Sequence, residues 1–141
     1  MANIVPDSFK EELFEAIHDF TASTGDAFKL ALYSTVTSFT ATGTTAYTTT
    51  NEVSGTGYTA TGAALVNISP TVAQNIAFVD FNDVTFSTAT ITASAALIYN
   101  TTNSSKAVVV LDFGGNKTST NGDFTIQFPA ANSTSAIIRI S

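Results

Sequence analysis

Residues 90–100 read TITASAALIYN, and the odd positions Ile91, Ala93, Ala95, Leu97 and Tyr99 are all apolar. A period of two marks a strand with one face buried, which makes β-structure the starting point for the whole chain. Downstream, AVVVL at 107–111 is apolar on both faces and predicts a central strand. Phe124, Ile126 and Phe128 alternate again in DFTIQF, and AIIRI closes the series at 136–140. Upstream lie AFKLALY at 27–33, ALVNI at 64–68 and IAFVDF at 76–81, rich in β-branched and aromatic residues. Turn-forming residues separate these runs: Thr24-Gly25-Asp26, Ser69-Pro70, Asn82-Asp83, residues 100–103, Gly114-Gly115-Asn116, Asn121-Gly122-Asp123 and Pro129. Seven or eight strands with short connections and no helices between them predict a mainly β fold, a single antiparallel β-sandwich of jelly-roll type over residues 27–141. Residues 34–63 alternate poorly and are read as one weak edge strand plus long loops.

The first residues follow another rule. Phe9, Leu13, Ile17 and Phe20 recur at helical spacing, Phe14 widens the apolar face, and Ser8 with Glu11 fits a capping box. This predicts one short amphipathic helix over about residues 8–19, within an N-terminal arm of residues 1–26. Such a helix must lie against its own domain or against a neighbour.

Size and charge bound the function. At 141 residues the chain is one domain, and 44% hydrophobic with 11% charged residues describes a packed globule rather than a disordered segment. So little charge also implies that some surface is normally covered by a partner. The five basic residues Lys10, Lys29, Lys106, Lys117 and Arg139 are scattered against eleven acidic ones, so the electrostatic footprint of a nucleic-acid binder is absent. There is no cysteine, hence neither a disulfide framework nor a thiolate metal site. The start has acidic residues where a signal peptide needs a basic region, and no stretch reaches membrane-spanning length, so the expectation is a chain made and folded in the cytoplasm with no membrane partner.

Candidate chemistry is thin. Gly55, Gly57 and Gly62 resemble a phosphate-cradling loop, but such a loop must open into a helix. Here AALVNI follows, so the glycines are read as permitting positive φ or close backbone approach. His18 is the only histidine, and packing or capping at a helix end explains it better than catalysis. Asp80 and Asp112, each near a strand end, could form a carboxylate pair acting on a glycan, and Asp83 and Asp123 add loop carboxylates for a calcium site. The ordered spacing of a calcium loop is missing, and strand-end capping accounts for the pair. Asp112-Phe113-Gly114 lacks every other kinase motif. The Asn-x-Ser/Thr sequons at Asn67, Asn100, Asn103, Asn116 and Asn132 report composition. No cofactor and no enzymatic activity are expected.

Five stretches together are distinctive: SFKEELFEAIHDF (8–20), DAFKLALY (26–33), AYTTTNEVSGTGYTATGAAL (46–65), ALIYNTTNSSKAVVVLDFGG (96–115) and FTIQFPAANSTSAIIRIS (124–141). They resemble a family of small structural proteins of tailed-bacteriophage virions, over almost the whole chain. The resemblance implies a head decoration, or cement, protein that bridges major capsid protein subunits on the shell, assembled in the host cytoplasm. It also fits a homo-oligomer, a dimer or trimer. On that expectation Ile4, Val5, Phe9, Leu13 and Phe14 are the candidate partner-interface residues, with the Thr-rich loops of 36–62 second. Two other classes compete. One is a tail, neck or fibre component binding another tail protein or a host glycan, which exposed Tyr47, Tyr58 and Tyr99 would favour. The other is a glycan hydrolase built on Asp80 and Asp112.

Overall fold

A computed structural model describes residues 2–141. In chain order the elements are α1 (Asp7–Phe14), β1 (Phe28–Tyr33), β2 (Ala63–Ala64), β3 (Asn67–Ala73), β4 (Ile76–Phe81), β5 (Val84–Asn100), β6 (Lys106–Ile126) and β7 (Ile138–Ile140). The described residues are therefore mainly β, with one short helix and two separate sheets ordered β2-β1-β5-β6 and β3-β4-β7. Every strand pairing is antiparallel.

A single long hairpin dominates where the sequence predicts several short strands. β5 is 17 residues and β6 is 21 residues long. Gly114-Gly115-Asn116, predicted as a turn between strands, instead lies inside β6. The register moves from Ala93↔Lys117 to Ala95↔Asp112, so residues 113–116 bulge outward opposite Ser94. Gly114 has φ 71°, and a residue without Cβ adopts that conformation at little cost. Asn121-Gly122-Asp123 is likewise a bulge region within β6, with Asn121 at φ 50° and Thr88 of β5 also at φ 50°. Ser69-Pro70 is a third turn signal absorbed into a strand, at the register shift of β3 between Ile68 and Thr71. Proline fits there because β3 is an edge strand and a bulge needs no ladder donor. The actual β3–β4 turn is Gln74-Asn75, both at positive φ (52° and 63°), the backbone of a two-residue hairpin loop.

One-sided alternation runs along 84–93, where Val84, Phe86, Ala89, Ile91 and Ala93 are buried and the residues between them exposed, so the half-buried pattern read over 91–99 ends at Ala93. From Leu97 to Asn100 every residue of β5 is buried, because both faces of the four-stranded sheet are covered there. One face carries Phe28, Leu30, Ala96 and Ile98 in a core shared with Phe81 of β4 and Phe9 of α1. The other face carries Ala31, Tyr33, Leu97 and Tyr99 under Phe39, Val36 and Tyr47 of the 34–62 segment. AVVVL is buried as expected, yet β6 stands at the end of the sheet order rather than at its centre. Its edge is closed by Ile4, which exchanges backbone hydrogen bonds with Val110 at 2.9 and 2.8 Å.

Residues 34–62 form no named strand and touch the sheet through isolated bridges such as Tyr33↔Glu52, Ala46↔Lys106 and Thr56↔Thr90. Gly62 shows why glycine sits here. At φ 80° its backbone passes so close to β1 that a Cβ would overlap the Leu30 carbonyl oxygen. The strand that follows, β2, opens no helix, so the glycine loop turns and packs a chain.

Helix α1 is shorter than predicted and is not capped by Ser8. It begins directly after Pro6, no side chain caps it, and Ser8 Oγ reaches the Thr44 carbonyl at 3.4 Å. Beyond Phe14 the chain reverses through Ala16 at φ 58°, and the Ile17 amide bonds back to the Glu12 carbonyl at 3.0 Å. That reversal carries His18 under the helix.

Candidate functional site

The paired-carboxylate idea meets a geometry that keeps the two groups in different sheets, Asp80 on β4 and Asp112 on β6. Asp80 is 1% exposed. Its Oδ1 accepts the Phe81 amide at 2.9 Å, the Ile137 amide lies close enough to favour the ionised carboxylate, and Oδ2 makes no hydrogen bond of good geometry among the described residues. Burial pushes its carboxyl above the ordinary carboxylate range. Asp112 accepts the Gly114 amide at 2.9 Å, which organises the β6 bulge. Asp83 accepts the Phe128 amide and Asp123 the Thr88 amide, so both serve local backbone. Among the described residues no group of three or more His, Asp or Glu side chains is placed to hold a metal ion.

Two buried polar clusters pin peripheral segments to the main sheet. In the first, His18 packs against Phe9 with ring centroids 5.1 Å apart, and its side chain is fully buried. Its Nε2 lies 2.7 Å from Glu12 Oε2 and its Nδ1 3.0 Å from Asn100 Nδ2. Asn100 Oδ1 accepts the amides of Thr102 and Asn103, which fixes its Nδ2 as the donor. His18 Nδ1 therefore accepts, and Nε2 carries the proton donated to Glu12. Lys106 Nζ completes the cluster at 2.9 Å from Glu12 Oε1, and that bond raises the lysine pKa. Asp26 Oδ2 takes the side-chain amides of Asn100 and Asn103 at 2.8 and 2.9 Å. The sequence singles out His18 as a packing residue; it does pack, but it bonds side chains and caps nothing.

The second cluster gathers all four tyrosines. Glu52 accepts the hydroxyls of Tyr47 at 2.6 Å and Tyr58 at 2.7 Å and the Thr61 amide at 2.7 Å. Tyr33 and Tyr99 donate to the carbonyls of Thr48 and Thr61. Burial, with the Glu52 charge nearby, pushes the tyrosine hydroxyls upward. Tyr58 and Tyr99 are buried and Tyr47 stacks on Tyr99 at 4.8 Å, so these rings lock residues 34–62 down instead of facing solvent.

A cleft of about 1000 Å³ opens outward between α1 and β7. Val5, Leu13, Phe14, Ile76, Ile138 and Ile140 supply apolar walls, and Lys10 and Arg139 add positive charge. β7 is the end strand of its sheet, so its outer backbone edge is open among the described residues. The five candidate interface residues part company here. Phe9 is 1% exposed and belongs to the chain's own core, and Ile4 is half-buried and paired with Val110. Val5 and Leu13 are half-buried walls of the cleft, whereas Phe14 is 96% exposed beside it. Ile138, Arg139 and Ile140 escaped notice because only tertiary packing sets the C-terminal strand against the helix. Their signal in the sequence was AIIRI, a strand too short to bury both of its faces.

Comparison with protein-family models, with curated proteins and with solved structures gives no match to this chain.

Proposed function

We propose that the protein is a non-enzymatic structural component of a tailed-bacteriophage virion, a decoration or cement protein that binds the major capsid protein and stabilises the shell. The observation carrying this is the apolar α1–β7 cleft with Phe14 standing exposed beside it, a surface suited to assembly with further chains rather than to catalysis. Burying a phenylalanine side chain is worth about 1.5–3 kcal/mol, a gain this chain forgoes until something covers it. The buried polar groups serve the fold: Glu12, His18 and Glu52 each have several partners within the chain. Asp80 is 1% exposed and bonded to the Phe81 amide, so it offers a glycan no accessible carboxyl, which the hydrolase alternative needs. A glycan-binding tail component would be favoured by exposed tyrosines, and Tyr58 and Tyr99 are buried.

The same proposal covers the finer architecture. We read the two sheets as layers of one sandwich, since Phe81 of β4 and Ile138 of β7 pack in the core that holds Phe28, Leu30 and Ile98. Repeated many times around a shell, a small apolar contact gains avidity it lacks singly.

Quantitative mass spectrometry of purified virions tests the proposal through the ratio of this chain to the major capsid protein. A ratio near one, or a simple fraction of it, is expected. A ratio of a few per cent would move the protein to the tail or neck, and absence from the particle would end the structural reading.

A further inference from the structure

The α1–β7 surface carries both a protrusion and a recess, and each has the charge the other needs. Phe14 stands 96% exposed at the end of α1. On a helix its surface neighbours are the residues three and four positions earlier, Glu11 and Lys10. Lys10 lines the cleft, as do Phe14 itself and Arg139, while Glu11 does not and is exposed with Glu15. The helix end therefore presents Lys10, exposed and ion-paired with Asp7 at 2.7 Å, toward the cleft and the carboxylates of Glu11 and Glu15 away from it, with an apolar ring between. Lys10 and Arg139 are two of the five basic residues in a chain with eleven acidic ones; Asp7 offsets part of the Lys10 charge, and Arg139 is the cation set on the β7 side of the cleft.

We propose that this surface is covered by a second copy of the chain in a two-fold dimer, each Phe14 entering its partner's cleft and the Glu11 side of one helix facing Lys10 and Arg139 of the other. This rests on the reading of the α1–β7 cleft as an assembly surface and names its occupant. An isologous contact requires one patch to complement itself, so that each contact occurs twice. Here the protrusion, the recess and both signs of charge lie on one patch. An unrelated acidic partner would satisfy the charge alone; a second copy brings the aromatic ring and its acidic flank together. The dimer would be the unit placed on the shell, leaving the Thr-rich loops of 36–62 to face other components.

The test uses the purified full-length protein in sedimentation equilibrium, with circular dichroism to check folding. Wild type is expected to dimerise at micromolar concentration. Phe14→Ser should weaken dimerisation by about thirtyfold or more, as for a central aromatic anchor, and should fold normally because the side chain is exposed. Lys10→Glu and Glu11→Lys should each weaken self-association several-fold by setting like charges together. Mixed in equal amounts, those two variants should instead form a heterodimer tighter than either homodimer. A wild type that stays monomeric, forms trimers, or dimerises equally well with Phe14→Ser overturns the two-fold pairing. So does the absence of heterodimer preference in the mixture. None of those results touches the virion proposal, which fails separately if the chain is missing from particles.

Discussion

The two faces of one short helix are treated in opposite ways. At its inner face Phe9 packs on His18 and Phe20, and Glu12 is tied to His18 and Lys106. Two residues past Glu12, Phe14 faces water. The polar group is enclosed and fully bonded while the large apolar one is left out, which is the reverse of what folding alone would select. The contrast separates what holds the chain together from what it offers to other molecules. The helical spacing puts Phe9 and Leu13 on one stripe and Phe14 off it, but it does not say which face is covered; that is decided where the chain doubles back at Ala16 beneath the inner face.

The largest expected effect comes from breaking the inner side. Phe9→Ala should lower the unfolding free energy by about 3–5 kcal/mol in chemical denaturation, since the ring is buried against other rings and the cavity cannot collapse freely. His18→Leu removes the group between Glu12 and Asn100 and should cost about 2–3 kcal/mol, because it strips a hydrogen bond from each of two buried polar side chains. An unchanged midpoint in either case would place the helix outside the folded unit.

Asp80 sharpens the comparison as a buried carboxylate supported by the backbone amides of Phe81 and Ile137. Asp80→Asn keeps an oxygen for the Phe81 amide, removes the buried charge and should abolish this group's pH dependence. The pH dependence has a fixed sign. Because burial raises the native pKa above the ordinary 3.8, the folded state binds the proton more tightly than the unfolded one. This group therefore adds stability as pH falls through its raised pKa, with the gain complete below 3.8 and absent at neutral pH. On acidification the denaturation midpoint of wild type should rise relative to that of Asp80→Asn; parallel curves would contradict that picture. The smallest effect on folding should come from Phe14→Ser, within about 0.5 kcal/mol of wild type, since the side chain makes few contacts to lose.

Much of the β-structure was legible because its cause is local. IAFVDF gives β4 with matching bounds, and AFKLALY gives β1 to within one residue. Errors cluster where pairing overrides local chemistry. Gly114-Gly115-Asn116 has the composition of a turn, yet β5 offers continuous partners on both sides, so the same residues become a bulge. Ser69-Pro70 behaves alike against β4. The candidate site was half legible: Leu13 and Phe14 could be named from the helix pattern, whereas Ile76 and Ile138 join them only through tertiary packing. His18 could be recognised as structural, but its bonds to Glu12 and Asn100 span 6 and 82 residues of sequence.

The measurement that reaches furthest is the copy number per virion of wild-type chain and of Phe14→Ser, taken against the major capsid protein in particles assembled with each. Wild type should be present at a simple fraction of the capsid subunit, and the folded variant should be strongly depleted from the particle. Equal incorporation of the two, or absence of both, would contradict a shell protein assembled through the α1–β7 surface.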